Sequence, residues 1–263
     1  LKIDRYKKLG ANVQTHLLSG LPEETYEAQV NSIRKAFEFE FDDIQIFSII
    51  LLPGSEMESA QSRDKYKIKT KYRLRAGGYG KYNGITAIDC EEIIRENSAI
   101  SEKEMQRLRS IHWLIWFGWN HNFLKPLWRL AQKKFKINPI EIILLLTEVN
   151  SIENEKWQEL LKDFDRDSSS EWFNSREDLS AFYEKSDFLE DKEFDHFLKS
   201  EFKYNAKVLL EKKLFYTLID LTINLIKKLS DIKMRDDFWK NVKECMVKSI
   251  CFPEDIYNNE TFE

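Results

Sequence analysis

The sequence predicts an α/β segment followed by a longer helical one, and three observations carry that reading. Residues 10–56 hold two apolar runs, 13–19 and 44–52, each closing on a turn that contains Gly and Pro. A single amphipathic stretch lies between them, which is the pattern of a βαβ crossover in a parallel sheet. From Ser101 onward, apolar residues recur at three- and four-residue steps, as on helices with one buried face.

Taken in order, residues 1–9 read as the end of a helix stopped by Gly10. Residues 13–19 form a short strand leading into Gly20-Leu21-Pro22. Glu23, Glu24 and Glu27 then occupy the first turn of a helix, where the dipole favours acidic side chains. Its buried stripe is Tyr26, Val30, Ile33, Phe37 and Phe41. Residues 44–52 are almost wholly apolar and suit a strand covered on both faces. Between Glu56 and Gly84 the texture changes to basic residues interleaved with Tyr66 and Tyr72, then Gly77-Gly78-Tyr79-Gly80 and Asn83-Gly84. This predicts an excursion with turns and a small hairpin.

Ser101 to Glu104 is a capping box, followed on one face by Met105, Leu108, His112, Ile115 and Trp119. Residues 127–135, 140–149 and 157–164 read as further helices, and 163–175 as a polar loop. Amphipathic pieces follow at 179–188 and 194–202. A long stripe of leucines runs from Leu210 to Leu229, and residues 238–250 close the chain. The organisation expected is an α/β unit over 1–60, a connecting region over 61–100 and a helical domain over 101–263.

Composition narrows the function. With 263 residues, 41 basic and 45 acidic, the net charge is −4, which argues against binding driven by phosphate neutralisation. Three cysteines, Cys90, Cys245 and Cys251, are odd in number and fit a reduced, cytoplasmic chain rather than a disulfide framework. No run approaches the length of a membrane span. The chain starts at Leu1, inside a helix-like segment, and reads as beginning in mid-fold with an N-terminal part missing.

Few residues offer metal chemistry. Asp163, Asp165 and Asp167 alternate like the start of an EF-hand loop, but Ser168 stands where Gly is needed and Asn174 where the bidentate Glu belongs. A solvated acidic loop is the better reading. His112 reads as a core or interfacial histidine, and Trp113, Trp116, Phe117, Trp119 and Phe123 as packing aromatics. The turns after Leu18 and Leu52 are stronger candidates, because ligands of parallel α/β folds gather at the carboxyl ends of strands. Glycine there lets backbone approach a ligand closely, and simple βα turn chemistry accounts for the pattern equally well.

Leu17-Leu18-Ser19-Gly20-Leu21-Pro22-Glu23-Glu24-Thr25 resembles the Gly-Leu-Pro-Gly-Glu-Thr segment of radical SAM enzymes, and Leu51-Leu52-Pro53-Gly54-Ser55-Glu56 resembles the Leu-Pro-Gly-Thr segment that ends their barrel. Residues 71–74, 80–84 and 111–115 resemble the subgroup that carries a cobalamin-binding domain ahead of that barrel. The resemblance implies the last βα units of a partial (β/α)6 TIM-like barrel plus a C-terminal helical domain. It implies S-adenosylmethionine and a [4Fe–4S] cluster as cofactors, with cobalamin as a third in the subgroup, and a flavodoxin or ferredoxin as reductant. The adenosyl-side residues implied are Leu18, Gly20 and either Glu23 or Glu24, with Pro53 and Gly54 at the final turn.

The Cys-x₃-Cys-x₂-Cys motif that holds the cluster does not occur in this sequence. Cluster ligands are expected outside the chain, in a missing N-terminal half of the same protein, and the fragment alone is expected to be inactive. Three functions follow. The chain is the C-terminal part of a radical SAM enzyme acting on a small-molecule or otherwise unknown substrate, or a non-catalytic helical interaction module with a vestigial α/β cap. A phosphate-binding half-barrel is the third.

Overall fold

The computed structural model describes residues 2–185, 199–250 and 252. Helix α1 (Lys2–Lys8) ends at Gly10, whose φ of +79° closes it. Strands β1 (Gln14–Ser19) and β2 (Asp43–Ser48) pair in parallel, with Gln14 opposite Asp43 and Ser19 opposite Ser48. Helix α2 (Tyr26–Glu38) joins them and buries Val30, Ile33 and Phe37. The crossover expected from the two apolar runs is present, and the molecule is mixed α/β with small sheets and a helical remainder.

Two local expectations change. Glu23 and Glu24 lie ahead of α2 rather than in its first turn, because Gly20 (φ +96°) and Glu23 (φ +67°) adopt left-handed backbone. Such residues end a helical path. Thr25 is the N-cap, its hydroxyl accepting from Ala28 N at 3.1 Å, and of the three acids only Glu27 falls in the first turn. The second apolar run is covered on one face only. Ile44 and Ile46 face the core, while Phe47 is exposed. The run also changes partner beyond Ser48: Leu51 N donates to Glu92 O at 2.8 Å, and Ile94 N to Ile49 O at 3.1 Å.

That partner is the second strand of a long antiparallel ribbon, β3 (Lys69–Tyr82) and β4 (Ile85–Glu96), in place of the small hairpin expected. Helix α3 (Ala60–Tyr66) leads into it. Asn83 and Gly84, at φ +50° and +82°, make its two-residue turn. Opposite charges face each other across it, as in Arg73–Glu91 at 3.5 Å and Arg75–Asp89 at 3.1 Å.

Helix α4 (Glu102–Leu114) starts on the expected capping box: Ser101 Oγ accepts from Glu104 N at 3.3 Å, and Ser101 N donates to Glu104 Oε2 at 2.8 Å. It continues into a π-helical turn, Ile115–Asn120. Helices α5 (Lys125–Phe135), α6 (Pro139–Thr147) and α7 (Glu155–Ser170) follow. Because α7 reaches Ser170, most of the expected polar loop is helical. Its aspartates pair with basic neighbours, Asp163 with Arg166 and Lys207, and Asp167 with Lys203. Next come α8 (Arg176–Lys185), α9 (Ser200–Leu210), α10 (Lys212–Leu229) and α11 (Asp236–Lys248). The expected pieces at 186–188 and 194–198 lie outside the described residues.

One apolar cluster runs from Val30 and Phe37 of α2 through Trp113, Trp119 and Trp128 to Phe215 and Phe252. Phe37 meets Trp119 edge-on with ring centroids 4.9 Å apart, and Trp119 Nε1 donates to Phe41 O at 3.0 Å. The βαβ unit and the helices thus share a single interior.

Candidate functional site

The carboxyl ends of β1 and β2 lie at the same end of the parallel pair, as the sequence reading requires. Both turns that leave them place a glycine in left-handed backbone, Gly20 at φ +96° and Gly54 at φ +80°.

Their surroundings differ. Gly20 is buried, and a Cβ there would lie 3.2 Å from Met105 Cε and 3.7 Å from Ile94. Asn97, arriving from the end of β4, donates to Gly20 O at 3.3 Å and Leu21 O at 3.1 Å, while its Oδ1 accepts from Ala99 N at 2.8 Å. The first turn is therefore clamped by the ribbon, a long-range contact no local pattern announces. Around Gly54 nothing lies within 4 Å of where a Cβ would stand, and its N–H donates to Glu58 Oε2 at 2.6 Å.

The two candidate acids also separate. The buried Gln29 amide, oriented with its nitrogen toward the turn, donates to both Glu24 carboxylate oxygens at 2.9 Å and to Leu18 O at 3.0 Å. Burial pushes the Glu24 carboxyl above its usual range. Glu23 projects from the turn and is exposed. On the face of the pair away from α2, Leu18 and Phe47 are 46% and 47% exposed, and Leu52 beyond β2 is 62% exposed. His16 packs edge-on to Phe47 with ring centroids 5.3 Å apart. Of the six sequence candidates, Leu18, Glu23, Pro53 and Gly54 are open to solvent, whereas Gly20 is filled in and Glu24 is tied down.

A second polar centre is built on Arg109, one turn along α4 from the Met105 that packs on Gly20, and its residues were not singled out as a group by the sequence. Arg109 donates to Glu171 Oε2 at 3.0 Å, Ser168 O at 3.3 Å and Glu201 Oε1 at 2.6 Å. The guanidinium groups of Arg95, Arg73 and Arg109 surround the Trp172 ring at 4.3, 5.0 and 5.4 Å. Burial, and next the charge of Arg109, lower Arg95 to about 10. For Glu201 burial alone would raise the carboxyl, but Arg109 overcomes it and holds the group below its usual value.

Beside this centre is a cleft of about 180 Å³ between β2, the π-helical turn and α9, lined by Ile46, His112, Trp116, Asn120, Glu201 and Phe202. Asn120 exchanges both amide hydrogen bonds with Ile44, at 3.0 Å to its N–H and 2.9 Å to its carbonyl, so it serves the β2 edge as a neighbouring strand would. The other aromatics of the cluster around it are packing residues: Trp113 stacks on Phe164 at 4.8 Å and Phe117 on Phe123 at 4.8 Å. Trp116 alone of the five candidates lines the cleft.

Among the described residues, no group of three or more His, Cys, Asp or Glu side chains could hold a metal ion. Cys90 is partly buried and Cys245 exposed, both as free thiols. A [4Fe–4S] cluster therefore finds no ligand set in the described residues. No helix among them is long and apolar enough to cross a membrane. No protein-family model matches the chain, and no curated protein matches its sequence.

Proposed function

We propose that this chain is the C-terminal part of a radical SAM enzyme and that the carboxyl ends of β1 and β2 form one wall of its S-adenosylmethionine site. The observation that carries the reading is the parallel β1–β2 pair, whose two strands run out at the same end toward turns that hold a glycine in left-handed backbone. It joins to the Leu17-to-Thr25 and Leu51-to-Glu56 resemblances, which fall on those turns. The open face bearing Leu18 and Phe47 suits the inner side of a partial barrel, since α2 covers only the opposite face.

In this reading the chain's own part is binding and orientation. Leu18 and Leu52 offer apolar surface to a nucleoside, and Glu23 is the carboxylate free to accept a hydrogen bond from an amine or hydroxyl. Glu24 acts one step back, fixing the turn through Gln29. No electron-transfer step is assigned to these residues, because none of them fits the cluster. Bound S-adenosylmethionine would supply the 5′-deoxyadenosyl group for hydrogen abstraction from a substrate of unidentified class; a cobalamin role belongs to the same proposal.

The test is the polypeptide extended upstream through its natural reading frame and reconstituted anaerobically with iron and sulfide. The reading expects the charge-transfer absorption of a [4Fe–4S] cluster and, once S-adenosylmethionine and an electron donor such as reduced flavodoxin are added, one-electron cleavage to methionine and a 5′-deoxyadenosyl radical that takes a hydrogen atom and leaves as 5′-deoxyadenosine. Glu23→Ala should weaken S-adenosylmethionine binding about tenfold, the loss of one charge-assisted hydrogen bond. A protein without cluster absorption overturns the proposal.

A further inference from the structure

A second, larger cleft shares Lys199 and Phe202 with the one beside the π-helical turn and opens between β3, α8 and the start of α9. Its volume of about 450 Å³ falls within the roughly 300–1,000 Å³ of small-molecule sites. A bulge in the ribbon forms one wall. Leu74 pairs with Cys90 and Tyr79 with Ile88, so residues 75–78 stand against Asp89 alone. Glycine is required at both inner positions: Gly77 has φ +74°, and a Cβ on Gly78 would lie 2.4 Å from Asp89 O. Bulges bend a strand, re-aim its side chains and are over-represented beside active sites.

Among the described residues, Arg73, Arg75 and Lys199 are the cations that line this cleft. Two of them have a carboxylate opposite, Arg73 with Glu91 at 3.5 Å and Arg75 with Asp89 at 3.1 Å. Lys199 has none: its side chain makes no hydrogen bond or ion pair with any described residue. It is half-buried, and its ammonium still reaches solvent. The carboxylate lining the same cleft, Glu171, is engaged elsewhere. Its Oε1 accepts from Ser200 N at 2.6 Å and its Oε2 from Arg109 at 3.0 Å. Burial, and next the charge of Arg73, lower the Lys199 ammonium below its ordinary value, and an anion placed beside the two cations offsets that repulsion. Leu74, Tyr183 and Phe202 complete the lining with apolar and aromatic surface, and Phe202 is 51% exposed.

We propose that this cleft binds an aromatic monocarboxylate, held by Lys199 from the start of α9. The carboxylate accepts from Lys199 Nζ on the side toward Arg73, and the ring lies against Tyr183 and Phe202. A single negative charge matches the one unpaired cation, whereas a dianion leaves a charge unmatched and an amine meets only like charge. None of the lining residues belongs to the turns after β1 and β2, and the site does not depend on the S-adenosylmethionine reading.

The experiment uses the whole 263-residue chain with 2-naphthoate as probe, 2-naphthamide as its neutral counterpart and 2-naphthyl phosphate as its dianionic one, followed by calorimetry and ligand-observed NMR. 2-Naphthoate should bind saturably, with a Kd of about 1 mM or below and roughly fivefold tighter than either counterpart. Lys199→Gln should weaken it about tenfold, the loss of one charge-assisted hydrogen bond. The melting temperature should stay unchanged, because the Lys199 ammonium holds no other described group in place. Lys199→Arg should keep most of the binding. Phe202→Ala, at an exposed position, should weaken binding roughly threefold through lost ring contact and provides the test if the Lys199 variants fail to fold. No saturable response overturns the proposal. So does equal or tighter binding of the amide or the phosphate, or 2-naphthoate binding unchanged in the variant that folds.

Discussion

Gly20 and Gly54 look alike in the sequence, each following an apolar run beside a proline, yet they should respond differently to substitution. Both need left-handed backbone, which costs a side chain about 1–2 kcal/mol. Only Gly20 adds a steric term, from Met105 Cε at 3.2 Å. Gly54→Ala should therefore lower stability by about 1 kcal/mol, and Gly20→Ala by about 2–3 kcal/mol, as read from urea unfolding at constant slope. His112 gives a pH test at the same scale. Its folded value of about 3 lies below the ordinary 6.5, so below pH 6.5 the unfolded chain takes up a proton that the folded chain refuses. Its contribution to stability is therefore lost progressively as pH falls from 6.5 toward 3, by up to about 1.4 kcal/mol per pH unit. Of the groups that face it, Arg109 is held above its ordinary value by Glu201 and Glu171, and Glu201 below its own by Arg109, so both keep their charge where the imidazole ordinarily titrates. Between pH 6.5 and 5 the unfolding free energy of His112→Leu should be flatter than that of the parent, and parallel curves would contradict the assignment.

At the scale of elements, the ribbon was only partly legible. Asn83-Gly84 is a strong hairpin signal, and it sits at the turn. The strands on either side are too charged to show a buried face in the sequence. They are held by cross-strand ion pairs and by β4 bonding to residues 49–51, both of which depend on distant partners. The π-helical turn shows a second limit. Ile115 to Asn120 reads as ordinary continuation of α4, but Gly118 allows Trp128 to pack against its backbone, where a Cβ would meet Trp128 Cη2 at 2.4 Å. Gly118→Ala should cost about 3 kcal/mol or more by overpacking, with a matching change in tryptophan emission. The start of α4 was fully legible: Ser101→Ala removes a capping box and should cost about 1 kcal/mol in thermal unfolding.

For the whole molecule, the decisive fact is that α2 and the helical half share one interior. Phe37 on Trp119, Gln132 Nε2 donating to Phe37 O at 2.7 Å and Asn138 Nδ2 donating to Arg34 O at 3.1 Å tie the βαβ unit to α5 and α6. Heating the chain should give one transition, with far-UV dichroism and tryptophan fluorescence coincident. A chain beginning at Ser101 should bind hydrophobic dyes and lose that cooperativity, because Trp119 and Ile44's partners are uncovered. A folded, cooperative 101–263 would instead favour the reading of an independent helical interaction module.

By itself the sequence determined the local elements whose pattern repeats within one or two turns: the parallel crossover, the glycine turns that end its strands, the capping box and the amphipathic helices. Periodicity reports which side of an element is buried, and those elements bury one side. What only the tertiary structure decided is which atoms meet from afar. Asn97 closes the Gly20 turn, Gln29 takes Glu24 and leaves Glu23 exposed, and Glu201 brings its carboxylate beside His112 from 89 positions away in the chain. Those juxtapositions follow from the packing of the whole interior, which no window of sequence contains.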